Sequence, residues 1–395
     1  MLKQINNQKV MKKYFIIAAA AIVALAACTK SDADKTAYEQ SRVINFNTVT
    51  GKATKAPITG TTYHYNYSSF GVFAWYLAEG NWNTAAANSS AVAYMGSGSP
   101  LATPVEVTWN EDKDIWAPSS TYYWPLQGKL TFIAYSPYDA ATATFSNAGL
   151  LTLTGYTLDT TVADQVDLLY SAVAADKTQN ESYYVDGTNS KDSQTADGDK
   201  GVNIQFKHAL AQIIFKAKTA DSVYDAGLSF KIDSIVVNAA STAASMTVTN
   251  PAVDAAPAAI TTWDTPGTNA NFNVRVAAFP EAANTYLTKS LSAEIGDALL
   301  AIPVTSFAGT DPTITVKYTL YRLSDNQSLG SKKVTVHVDA VDDIITSWQA
   351  GKKYEYDLNI DLEKIYFTPS IIDWDTTAPA QGVNVPQGTP YNPAA

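Results

Sequence analysis

The chain of 395 residues carries a single cysteine and three histidines. A lone cysteine forms no internal disulfide, so no covalent staple closes the fold. His64, His208 and His337 stand far apart, and no two share a metal-ligand spacing. His208 and His337 fall in alternating stretches, where a structural role on a pleated surface or in a core is expected. Charge is scarce as well. Only 16% of residues are Asp, Glu, Lys or Arg, with 37 acids against 27 bases and a formal net charge of −10. That balance excludes nucleic acid, which is held through basic patches, and it argues against anionic lipid head groups. There is no Gly-x-Ser-x-Gly elbow and no phosphate-binding glycine loop; Gly96-Ser97-Gly98 reads as a turn fragment. Asp197-Gly198-Asp199 lacks the later ligand positions of a calcium loop. With no nucleophile, base or metal set in sight, the expectation is a protein that is not an enzyme and needs no cofactor.

The N-terminus supplies the first positive signal. Lys12 and Lys13 precede an apolar run from Tyr14 to Ala27, and no acid appears before Asp32. A positive start, an apolar stretch and small residues at its end make a secretory signal, with Met11 the better start. The run has 14 residues, fewer than the ~20 that a permanent membrane helix requires. Leu25-Ala26-Ala27-Cys28 resembles the bacterial lipobox, so cleavage is expected between Ala27 and Cys28 with lipid on the cysteine. Each buried acyl methylene contributes about 0.8 kcal/mol, and two or more chains anchor stably. Thr29 follows, rather than the aspartate that retains lipoproteins at the inner membrane, which points to the cell outer membrane. Signal removal takes four lysines and no acid, leaving the mature chain more acidic still.

Hydrophobic residues make 46% of the chain, with 23 tyrosines and 8 tryptophans. Period-two alternation dominates and predicts half-buried strands. It runs through Val202–His208, Phe272–Val276, Ile314–Leu320, Val334–Val338 and Tyr354–Leu362. Leu130–Tyr135 and Phe70–Tyr76 are more continuously apolar, as strands buried on both faces would be. Long amphipathic helices are missing; Asp339–Trp348 reads as a helical turn or two. Many short strands with turns between them give an all-β class of sandwiches or barrels. The polar stretch Asp186–Gly201 is the best interior break, read as a domain linker or a long loop. Trp75, Trp82, Trp109, Trp116 and Trp124 crowd the first half, as core residues or as platforms for a glycan.

Several stretches in order resemble the fimbrillin family, the subunits of type V pili. They are Val43–Phe46, Thr50–Pro57, Phe70–Ala74, Tyr122–Pro125, Leu130–Pro137, Asp167–Tyr170, Phe206–Ala211, then Trp348, Gly351 and Tyr354, and finally Ile372-Asp373-Trp374. The resemblance implies two transthyretin-like β-sandwich domains, at 56–200 and 201–375. They follow a signal peptide (1–27) and a lipidated tether with a pro-strand (28–55), and precede a tail or donor segment (376–395). It implies that a protease removes the tether and that a strand from a neighbouring subunit takes the vacated place. The removable strand would hold Val43, Ile44, Phe46 and Val49. Family cleavage follows a basic residue, most often arginine; here that place holds Lys55, and Arg42 is the weaker candidate. Ile365, Phe367, Ile371, Val383 and Val385 are candidates for a donated segment. Partners would be other fimbrial subunits, the outer membrane through lipid, and a host or glycan ligand. The alternative reading is a monomeric surface lipoprotein that binds a glycan or host ligand.

Overall fold

The structure, a computed structural model, describes residues 43–50, 67–82, 88–112, 115–178, 201–249, 261–264, 268–275, 286–307, 312–338 and 345–374. In chain order the strands are β1 (Phe46–Thr50), β2 (Ser69–Leu77), β3 (Val92–Met95), β4 (Val105–Asn110), β5 (Ile115–Pro118), β6 (Lys129–Ser136), β7 (Thr142–Phe145), β8 (Leu150–Thr157), β9 (Leu169–Ser171) and β10 (Ala174–Lys177). They continue with β11 (Val202–His208), β12 (Ala211–Thr219), β13 (Leu228–Thr249), β14 (Thr261–Trp263), β15 (Thr268–Arg275), β16 (Leu299–Ala301), β17 (Thr313–Arg322), β18 (Gln327–His337), β19 (Lys352–Ile360) and β20 (Ile365–Asp373). Among the described residues the one α-helix is the short α1 (Asp221–Asp225). The all-β expectation therefore holds.

The chain divides into two compact units. In the smaller, Val43 and Ile44 meet Thr121–Trp124: the Ile44 N–H donates to the Tyr122 carbonyl at 2.8 Å, and Val43 bridges Tyr123. The larger unit contains three sheets. The first has nine strands in the order β10-β6-β9-β11-β1-β5-β4-β2-β3, with a further pairing of β6 to β2. That extra pairing closes a ring of seven strands: β2, β6, β9, β11, β1, β5 and β4. Within the ring every strand has a neighbour on both sides, while β10 and β3 extend outward from β6 and β2 as the ends of the sheet. A four-stranded sheet follows, β16-β12-β19-β20, and a seven-stranded one, β18-β17-β13-β8-β7 with β14 and β15 paired to β13. Residue 201 is not a border between sheets, because β11 enters the first sheet and β8 pairs with β13.

β2 and β6 explain why their sequences are apolar throughout. Both are buried along nearly their whole length. Phe70 and Phe132 face one way, into a cluster of aromatic rings inside the ring of strands. Phe73, Trp75, Ile133 and Tyr135 face the other way, into a continuous core that reaches Phe215, Val316 and Tyr356. Gly71 is required here: a Cβ at that position would lie 2.4 Å from the Tyr135 ring. The seven-stranded sheet ends at β18, which is exposed over most of its length and carries Lys332 and Lys333. Charge on an edge strand discourages unplanned pairing.

The outward face of the four-stranded sheet has one perturbed carboxyl. Glu355 accepts from Lys216 at 2.8 Å, and Asp357 lies on the same face of β19. Burial, followed by repulsion from Glu355, raises the Asp357 carboxyl to about 6, against the opposing pull of Lys216 and Lys218. Between the unfolded value of 3.8 and about 6, the folded chain binds the extra proton. Stability therefore falls as pH rises through that window. Asp357→Asn should remove part of the loss, on the order of 1 kcal/mol after screening at a half-exposed site. Urea unfolding at about pH 4 and about pH 8 checks it: the wild-type difference should shrink in the variant.

Candidate strand-exchange site

β1 is the stave that closes the ring. On one side it runs parallel to β11, from Phe46 opposite Val202 to Thr50 opposite Phe206. On the other it meets β5 at one antiparallel pair, Phe46 with Trp116. Without β1, both β11 and β5 would present unpaired backbone groups.

The side chains set a register. Phe46 and Thr48 are buried, while Asn47 is half-buried. Phe46 enters a pocket of rings, edge-to-face with Phe70 at 6.0 Å and Phe132 at 5.7 Å. Phe70 in turn packs on Phe206 at 5.5 Å and Trp116 at 5.2 Å. Burying a phenylalanine contributes about 1.5–3 kcal/mol, and each edge-to-face pair about 0.5–1.5 kcal/mol more. Thr48 fits less well: it is fully buried, and its Oγ1 has no partner among the described residues. A buried hydroxyl without a partner costs about 1–3 kcal/mol.

The backbone sets the approach. The Val202 N–H donates to the Asn45 carbonyl at 2.7 Å. Gly201 beside it has φ +143, and a Cβ there would stand 2.1 Å from the Asn45 oxygen. Only glycine lets the incoming strand come this close. The far end of β11 is clamped. His208 Nδ1 bonds Asp167 Oδ2, and its ring stacks on Trp374 at 3.9 Å with 5° between planes. Asp167–Tyr170, Phe206–Ala211 and Ile372–Trp374 are stretches far apart in sequence, and here they meet on one imidazole.

The sequence candidates fall as follows. Phe46 and Val49 lie in β1, with Val49 opposite Gln205. Val43 and Ile44 precede it in the smaller unit, Ile44 fully buried. Ile365, Phe367 and Ile371 lie in β20, opposite Ile360, Leu358 and Tyr354, as part of the subunit's own sheet. Ala27, Cys28, Arg42, Lys55, His64, Val383, Val385 and the Asp197–Asp199 stretch lie outside the described residues. Four of the five tryptophans are core residues, and Trp109 is half-buried against Trp116 at 5.5 Å. His337 is exposed on β18. Gly201, Thr48 and the His208–Asp167–Trp374 contact were not legible as site residues. Gly201 closed a polar run that read as a linker, and a threonine within a strand carries no signal of its own. Among the described residues no three His, Cys, Asp or Glu gather to hold a metal ion.

The fimbrillin-like family matches residues 54–374. The chain belongs to that family. It is a family of structural fimbrial subunits rather than of enzymes. The fimbrium subunit Fim1C of Phocaeicola vulgatus is 24% identical over 121 residues, which are 30% of this chain and 29% of that protein. The match thus spans under a third of the relative's length. A fimbrial protein of Bacteroides vulgatus, solved by crystallography, is 18% identical over 84% of this fimbrillin-like chain and 99% of its own, with a TM-score of 0.49. The fimbrial anchor protein Mfa2 of Porphyromonas gingivalis is 9% identical over 84% of this chain and 98% of its own, with a TM-score of 0.28.

The pocket geometry gives two expectations. Phe46→Ala should loosen β1 by about 3–5 kcal/mol, seen as faster hydrogen exchange of the β11 amides with little change in β17. Thr48→Val removes the unsatisfied hydroxyl and should slow the same exchange, by about 1 kcal/mol.

Proposed function

We propose that this fimbrillin-like chain is a subunit of a surface fimbrium. It is exported as a lipoprotein on Cys28 and carried to the outer membrane. Proteolysis after Lys55 then frees the segment that includes β1, and the fibre grows when a strand from a neighbouring subunit takes its place. The observation that carries the reading is the position of β1. It is the only segment described before Lys55 in the larger unit, yet it sits inside a closed ring of strands rather than at an edge. Taking it away leaves two open strand edges and an aromatic pocket, which is the arrangement that β-augmentation needs: main-chain bonds give affinity and pockets give register. A cut at Arg42 would leave β1 in place, so Lys55 is the productive site. The membership in a family of fimbrial subunits supports the same reading. The assembled fibre serves cell adhesion, with the ligand outside this site.

The test uses the lipidated chain and an outer-membrane fraction from its own cell. Wild type should be cut after Lys55 and then form ladders of oligomers that resist mild detergent. Lys55→Ala should be exported and lipidated at wild-type level but stay uncut and monomeric, while Arg42→Ala should assemble normally. A wild-type chain that stays uncut and monomeric would contradict the proposal.

A further inference from the structure

A second site lies away from β1, where β13 bends. The 22 residues of β13 serve two sets of partners. Leu228–Asn238 pair with β17, and Ala243–Thr249 pair with β8. Between them the register with β15 shifts twice, and Ala239 adopts a left-handed φ of 57°. A non-glycine residue in that conformation is costly, and such strain and bulges gather beside functional sites. Ala239 is held there by donation of its N–H to Asn271 Oδ1 at 3.1 Å. Beside the bend an open cavity of about 490 Å³ is lined by residues of β13, β14 and β15, the chain after β16 and the turn before β19. That volume lies within the ~300–1,000 Å³ of small-molecule sites.

The lining narrows the ligand class. Trp263 forms one wall, half-buried, on the three-residue β14. It is propped at 6.3 Å by Tyr156, whose hydroxyl is fixed on the Val166 carbonyl at 2.9 Å. Trp348 is buried and held by its own bond to the Tyr356 hydroxyl at 3.3 Å. Among these apolar surfaces stand Asp264, Asn269, Ser347 and Gln349. Asp264 is oriented by the Ser245 N–H, 2.6 Å from its Oδ1. Among the described residues the lining includes no lysine, arginine or histidine. An anion would find no cation here. A hydrocarbon would strand the amides, hydroxyls and carboxylate. A saccharide satisfies both halves, with its C–H face against an indole and its hydroxyls toward donors and acceptors. We infer that this cavity binds a neutral saccharide, by a surface separate from the strand-exchange groove.

The experiment applies the native chain to an array of neutral, sialylated and sulfated oligosaccharides. Affinity for any hit is then measured by calorimetry. Wild type should retain neutral glycans and bind acidic ones more weakly. Trp263→Ala should weaken the hit at least tenfold, and Trp263→Tyr should recover part of it. Should Trp263→Ala fail to fold, Asn269→Ala and Gln349→Ala, which leave the aromatic packing intact, should each weaken binding severalfold at an unchanged melting temperature. An array with no neutral glycan retained, a preference for the acidic glycans, or full affinity in the folded variants would overturn the inference.

Discussion

The pairing of β1 with β11 is the contact on which the first sheet depends. Seven strands close a ring, and β1 joins β11 on one side to β5 on the other. The two sides are unequal. Five residues pair along β11, but β5 contributes one pair. The grip comes from Phe46 in its ring of aromatics and from the close backbone approach at Gly201. Under the proposed strand exchange, this closure keeps the β11 and β5 edges from pairing elsewhere before assembly. The same closure defines what a replacement must offer: a strand running parallel to β11, with an aromatic or large apolar residue at the Phe46 position.

The fit of β1 is good without being perfect, and the imperfection matters physically. Thr48 is buried with its hydroxyl unanswered. Its cost, about 1–3 kcal/mol, is set against the packing of Phe46. A strand that carried an apolar residue at that position would bind more tightly and, under strand exchange, would be harder to displace from a related groove. The far end of β11 is held by His208, which bonds Asp167 and stacks on Trp374. The bend of β13 belongs to other sheets, so the proposed saccharide cavity and the strand-exchange groove do not share residues.

Much of the fold was legible in the sequence because period-two patterning reports half-buried strands directly. Val202–His208 became β11, Ile314–Leu320 fell in β17, and the Tyr354–Leu362 run fell in β19 up to Ile360; the apolar runs at Phe70 and Leu130 became strands buried on both faces. β13 was not legible. Its second half reads Ala239-Ala240-Ser241-Thr242-Ala243-Ala244-Ser245, and its bulges break the alternation, so small residues conceal a strand that pairs with four others. The helical turn expected near Asp339–Trp348 is not seen at Ile345–Trp348, and the short α1 went unforeseen, being too brief for a 3.6-residue pattern. The site was half legible. Phe46 and its alternation were visible, but the closing of a ring by β1 depends on partners some 150 residues away, and no local pattern encodes it.

In the proposed assembly, β1 covers the free side of β11 before cleavage, and a neighbour's strand covers it afterwards. Hydrogen exchange of the Val202–His208 amides tests this in three states: the intact chain, the chain cut after Lys55 and kept monomeric by dilution, and the assembled fibre. Strand exchange predicts slow exchange in the intact chain, rapid exchange in the cut monomer, and slow exchange again in the fibre. Amides that stay protected in the cut monomer, or exposed in the fibre, would contradict it.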